Sequence, residues 1–156
     1  MANESLELLM ELTSKARDTA ARALAESRRT EQQIVNQLHT LDQYHQEYRQ
    51  NLQQELHKDG MSPSTLTNYR GFLNSLEAAV ERAQKSLERQ RKQVAQHQEN
   101  WMTEWRKVSA IEALLSRRAT QERLQAGRVE QRQTDEMASQ LRRRSASFSS
   151  SIDRGL

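Results

Sequence analysis

Four histidines and a scatter of carboxylates are the residues of this chain whose types could do chemistry, and their spacing works against it. His39 and His45 stand six apart, which on a helix sets them on different faces, and His57 and His97 are remote from both. A metal centre or an acid–base pair needs donors that converge on one point, so neither is expected. Gly60, Gly71, Gly127 and Gly155 are isolated from one another, which leaves no glycine-rich loop to cradle a phosphate or a dinucleotide. Cysteine is absent, removing disulfides and thiolate metal sites. The carboxylates are numerous but follow no pattern that would close a cleft around them and shift their pKa values. The expectation is a protein that is not an enzyme and takes no cofactor or metal.

The basic clusters are Arg28-Arg29, Arg117-Arg118 and Arg142-Arg143-Arg144. Such runs can touch nucleic acid or acidic lipid, but 24 basic residues are interleaved with 21 acidic ones, for a net charge of only +3. That interleaving describes a solvated mixed-charge surface, and no nucleic-acid partner is expected. The stretch from Met1 to Lys15 alternates Glu and Leu without a basic start or a long apolar run, so it reads neither as a signal peptide nor as a membrane span. A cytoplasmic protein is expected.

The elements that carry these residues are set by a seven-residue period. Leu66, Leu73, Val80, Leu87, Val94, Trp101, Val108 and Leu115 form an unbroken apolar column, and such a column stays on one stripe only if helices supercoil. A second column, Leu6, Thr13, Ala20, Ser27, Ile34, Leu41 and Tyr48, keeps the same period upstream. Between them lies the one strong break, Lys58-Asp59-Gly60-Met61-Ser62-Pro63-Ser64. Gly60 suits the left-handed position after a helix, Ser62 can cap the next one, and Pro63 fits its first turn. The apolar fraction of 35% is too low for a thick core, whereas four glycines and one proline in 156 residues suit long helices. The spacing therefore predicts an all-α fold, a long antiparallel two-helix coiled-coil hairpin with a longer C-terminal helix. Helix one is expected at about 3–58, the turn at 59–62 and helix two at about 63–143, forming one unit over 1–144. The serine-rich segment 145–156 is expected to be a disordered tail, because serines bond their own backbone in competition with helix.

Doubling the chain at Gly60 to Ser62 sets opposite one another residues whose numbers sum to about 121. The register pairs Leu6 with Leu115, Ile34 with Leu87, Leu41 with Val80 and Tyr48 with Leu73, and it sets Ala20 against Trp101, with Ala16 and Ala23 near Trp105. His45, Glu55, Gln90, His97 and Glu104 fall on or near the seam, where polar residues cost stability but fix register. Beyond Arg118 the heptads decay, leaving Leu124, Val129, Met137 and Leu141 scattered among polar residues.

Beside the seam, Phe72, Leu76, Ala79 and Ala83 step by four, three and four along one face, and Gln37, Leu41, Tyr44 and Tyr48 repeat those steps on helix one. In the hairpin register the two sets lie side by side. Two readings fit these eight residues: a widened seam, or an aromatic and aliphatic patch for a protein contact.

Three stretches together resemble the FliJ family of flagellar type III protein-export components. They are Gln37-Leu38 through Leu41, Tyr44 and Glu47-Tyr48-Arg49; Asn68-Tyr69 through Phe72-Leu73, Leu76-Glu77 and Ala79-Val80; and Arg128, Glu130-Gln131 and Asp135-Glu136 with Ala138. The resemblance covers about residues 1–140, and the serine-rich end looks longer than is usual for the family. It implies an antiparallel coiled coil similar to the central stalk of rotary ATP synthases. It also implies binding to the hexameric flagellar export ATPase, promotion of its assembly and activity, contact with the membrane export-gate protein, and a chaperone or chaperone-escort role with the export chaperones. On this basis Gln37, Leu41, Tyr44, Tyr48, Phe72, Leu76, Ala79 and Ala83 are expected to meet the export gate, with Ala83 offering the least contact area. Leu6, Leu9, Thr13, Leu124, Arg128, Gln131, Asp135 and Glu136 are expected to meet the ATPase ring. The location implied is cytoplasmic, peripheral at the inner membrane through the export apparatus, with weak self-association open to the exposed heptad flanks. The rival readings are a stalk protein of a virulence-type secretion system and a structural coiled-coil adaptor without an ATPase role.

Overall fold

The computed structural model describes residues 2–58 and 60–155, the Ala2 side chain aside. Asp59, part of the expected turn, and the terminal Met1 and Leu156 lie outside the described residues. Two helices account for nearly all of the rest: α1, Ala2–Lys58, of 57 residues, and α2, Pro63–Asp153, of 91 residues. No strand occurs among the described residues. The chain is therefore all-α.

The break between the helices is chemically determined. Gly60 takes φ +67°, the left-handed conformation that a side chain would strain. Ser62 then caps α2: its Oγ accepts the Thr65 amide at 3.3 Å, and its carbonyl accepts the Leu66 amide at 3.1 Å. Pro63 occupies the first helical position, where no amide hydrogen is needed. Within the helices the threonines do not break the pattern, because hydroxyls such as those of Thr19, Thr30, Thr40 and Thr103 donate to the carbonyl four residues back.

The contacts fall into two compact units, one of residues 11–108 and one of residues 1–10 with 109–156. In the first, α1 and α2 pack antiparallel. Going up α1, the side chains of Ser27, Glu31, His45, Tyr48 and Glu55 meet Gln90, Arg91, Glu77, Phe72 and Tyr69 in turn, coming down α2. Leu24, Leu73, Leu76 and Leu87 are buried along this seam, and Val108, at 1% exposure, is the most enclosed side chain among the described residues. Every member of the column from Leu66 to Leu115 is buried or half-buried, as are Thr13, Ala20, Ser27, Ile34 and Leu41 of the α1 column. A second seam column runs beside each. On α1 it is Arg17, Leu24, Glu31, Leu38, His45 and Leu52, and on α2 it is Tyr69, Leu76, Ala83, Gln90, His97 and Glu104, again with none fully exposed. Polar and charged residues are tolerated in these columns, alternating with leucines on α1, because a two-helix seam is narrow enough for their heads to reach water. Trp101 is half-buried in its column, but Trp105 and Ala16 are exposed, so Trp105 flanks the seam rather than filling it.

In the other unit, Asn3 Nδ2 donates to Glu122 Oε1 at 3.1 Å, Ile111 is buried, and Leu6, Met10, Leu115 and Arg118 are half-buried. From residue 119 to residue 137 every side chain is exposed.

The serine-rich end departs from expectation. Instead of stopping near Arg143 and giving way to a disordered tail, α2 carries on to Asp153 and closes with a turn in which the Gly155 amide donates to the Ile152 carbonyl at 3.2 Å. Ser145 and Ser147 turn their hydroxyls back onto the carbonyls of Arg142 and Arg144, at 3.1 and 2.9 Å, so they bond within the helix rather than against it. Extending an existing helix adds one backbone bond per residue fixed, which offsets the modest propensity of serine.

Candidate interaction surfaces

The first candidate surface lies wholly in the unit of residues 11–108. Tyr48 and Phe72 meet across the hairpin with ring centroids 4.4 Å apart and planes inclined at 41°, and Tyr69 approaches Tyr48 at 6.3 Å. These tilted geometries suit aromatic quadrupoles and tie the two helices together at this level. Phe72 nevertheless keeps 44% of its surface exposed, and Tyr44 and Tyr48 are exposed as well. Gln37 is exposed, while Leu41, Ala79 and Ala83 are half-buried. Leu76 differs: at 9% exposure it belongs to the seam. The eight residues thus divide, with four facing solvent and four leaning into or filling the seam beneath.

Two further residues bound this surface. Tyr69, a seam position by its period, joins the aromatic cluster and donates its hydroxyl to Glu55 Oε1 at 3.4 Å. Partial burial between the helices, and then the nearby Glu55 carboxylate, raise its pKa above the ordinary phenol value. His45 Nε2 lies 3.2 Å from Glu77 Oε1 across the seam. The sequence signal for Tyr69 was its place three residues before Phe72, one turn along the same helix.

The second candidate surface draws on the other unit. Leu6 is half-buried and Leu9 exposed on α1; Leu124, Arg128, Gln131, Asp135 and Glu136 are all exposed on α2, with Gln131 Nε2 donating to Asp135 Oδ1 at 3.3 Å. Thr13, half-buried, belongs to the hairpin unit instead.

Among the described residues no group of three or more His, Asp or Glu side chains is arranged to hold a metal ion. No helix among them is long and apolar enough to cross a membrane. What the geometry offers is side-chain surface on paired helices in one unit, with aromatic contacts at one level, and in the other a helix exposed from residue 119 to residue 137.

The fold is that of an all-α coiled-coil protein. Residues 1–147 match the family described as Flagellar FliJ protein. The chain is 33% identical over 134 residues to a Flagellar FliJ protein of Salmonella typhi, and 31% identical over 134 residues to that of Escherichia coli strain K12. Each comparison covers 86% of this chain and 90% of the relative. The chain belongs to the FliJ family of flagellar proteins.

Proposed function

We propose that this chain serves flagellar protein export as the stalk of the hexameric export ATPase, promoting assembly and activity of the ring and linking it to the membrane export gate. Family membership supports the flagellar setting over a virulence-type system. The observation that carries the stalk reading is the helix from residue 119 to residue 137, exposed at every position, with the Asn3–Glu122 hydrogen bond near its start. A helix that leaves its apolar and charged side chains this exposed suits insertion among other subunits. In this reading Leu6, Leu9, Thr13, Leu124, Arg128, Gln131, Asp135 and Glu136 contact the ring.

The gate contact falls to the aromatic cluster. Tyr44, Tyr48 and Phe72 supply the exposed rings, Gln37 and Ala79 the margin, and Leu41, Leu76 and Ala83 the support behind them. Rigid aromatics backed by a packed seam have the composition of an interaction hot spot. Escort of export chaperones would use the same protein at the cytoplasmic face of the inner membrane, held there through its partners.

The test is ATP hydrolysis by the purified export ATPase with and without this protein. Stimulation is expected from the full chain and not from a chain truncated after Arg118, which keeps the hairpin. Equal hydrolysis with and without the full chain would leave the structural-adaptor reading in its place.

A further inference from the structure

The C-terminal part of α2 carries a feature that neither the stalk nor the gate reading uses. Met137, Leu141, Phe148 and Ile152 follow one another at intervals of four, seven and four, so on a helix they fall within an arc of about 60°. All four are among the most solvent-exposed large apolar side chains of the chain, at 55 to 70% exposure. Arg144 lies beside the stripe and, with Met137, Gln140 and Leu141, lines a shallow groove there. The match to the flagellar family ends at residue 147, yet the stripe continues in register through Phe148 and Ile152 on the same unbroken helix.

The charge of this segment says what covers it. From Met137 to Arg154 the basic residues are Arg142, Arg143, Arg144 and Arg154, and the only acidic one is Asp153. Elsewhere the chain balances its charges, 20 basic against 20 acidic, so this stretch is the exception. The remaining polar positions are mostly serines, short side chains that do not hold the helix away from a flat surface. Apolar residues on one arc with arginines around it are what a helix lying in the interface of an anionic bilayer requires: the stripe enters the acyl boundary and the guanidinium groups remain with the phosphates.

A second copy of the chain fits less well. Pairing two such stripes side by side, in either direction, brings one arginine triplet near the other without acidic residues to offset them. Nucleic acid would use the arginines but leave the apolar arc in water.

We propose that residues 137–154 form an amphipathic anchor that binds the surface of anionic membranes, independently of any protein partner. It lies in the plane of the interface and does not span. Arginines attract it to the headgroups, and Phe148 and Ile152, outside the family match, complete the apolar face.

Flotation of the full-length protein with phosphatidylglycerol-containing vesicles tests this, with neutral phosphatidylcholine vesicles alongside. Binding is expected to the anionic vesicles only, falling between about 50 mM and about 300 mM salt as screening shortens. At about one kcal/mol per arginine near the surface, R142A/R143A/R144A should weaken binding about hundredfold. F148S/I152S should weaken it at least about tenfold while leaving the arginines in place. These positions are exposed, and circular dichroism checks that both variants retain the hairpin. Failure to float with anionic vesicles, equal flotation with neutral ones, or binding unmoved by F148S/I152S would each overturn the proposal. So would a concentration-dependent dimer without lipid that F148S/I152S dissolves, since a second copy would then be the occupant.

Discussion

Two residues show how a seam this thin is kept in register. Gln90 Nε2 donates to the Ser27 carbonyl at 2.9 Å and to its hydroxyl at 3.0 Å, and Ser27 is the one buried polar residue among those described. A sliding seam of leucines would not notice a shift of one turn, whereas this pair is lost at once. Gln90→Ala leaves the Ser27 hydroxyl without that partner and should cost about 1 to 3 kcal/mol in urea unfolding. Tyr69 adds a pH dependence with a definite sign. Its folded pKa is raised, so in the window just above the ordinary phenol value the unfolded chain releases the proton while the folded chain keeps it. The stabilisation is complete below pH of about 10 and is lost as pH rises through the folded pKa. Melting temperatures followed by circular dichroism from neutral to alkaline pH should fall less steeply for Tyr69→Phe than for the wild type.

At the scale of the helix, the fold was legible because one signal dominates it. A period of seven sustained from Leu66 to Leu115 admits a single reading, and Gly60, Ser62 and Pro63 punctuate it with independent chemistry. The partner column of the seam was harder to read, since Glu31, His45, Gln90 and His97 interrupt its apolar residues. The serine run misled because propensity ranks isolated residues, while a helix already formed upstream extends through them. Phe72 and Leu76 could not be separated in sequence: a step of four turns the helix by only about 40°, and the seam edge falls between them. Structure divides them, and stability should divide them too. Leu76→Ala empties a buried position and should destabilise the hairpin by about 2 to 3 kcal/mol. Phe72→Ala, removing a half-exposed ring stacked on Tyr48, should cost about 1 kcal/mol. Phe72→Ala is therefore the cleaner probe of gate binding, expected to weaken it while leaving ATPase stimulation intact. Equal gate binding by wild type and Phe72→Ala would remove the cluster from that role.

Across the whole chain, burial is unevenly distributed, and local stability should follow it. Among the described residues six apolar side chains are buried, and they run from Leu24 to Ile111. From residue 119 to residue 137 none is even half-buried, so backbone bonds, helix propensity and exposed side-chain hydrogen bonds such as Asn3–Glu122 and Gln131–Asp135 hold that stretch without a core. Amide hydrogen exchange on the free protein should show residues 73–111 exchanging at least about a hundredfold more slowly than residues 119–153. The same measurement separates the two roles assigned to the distal helix. A ligand protects the amides of the segment it orders, so the export ATPase should slow exchange around Leu124 to Glu136, and anionic vesicles should slow it from Met137 to Asp153. If the ATPase protected both segments and vesicles neither, the apolar stripe would belong to the ring contact. If vesicles alone protected the distal helix, the stalk reading would lose the segment on which it rests.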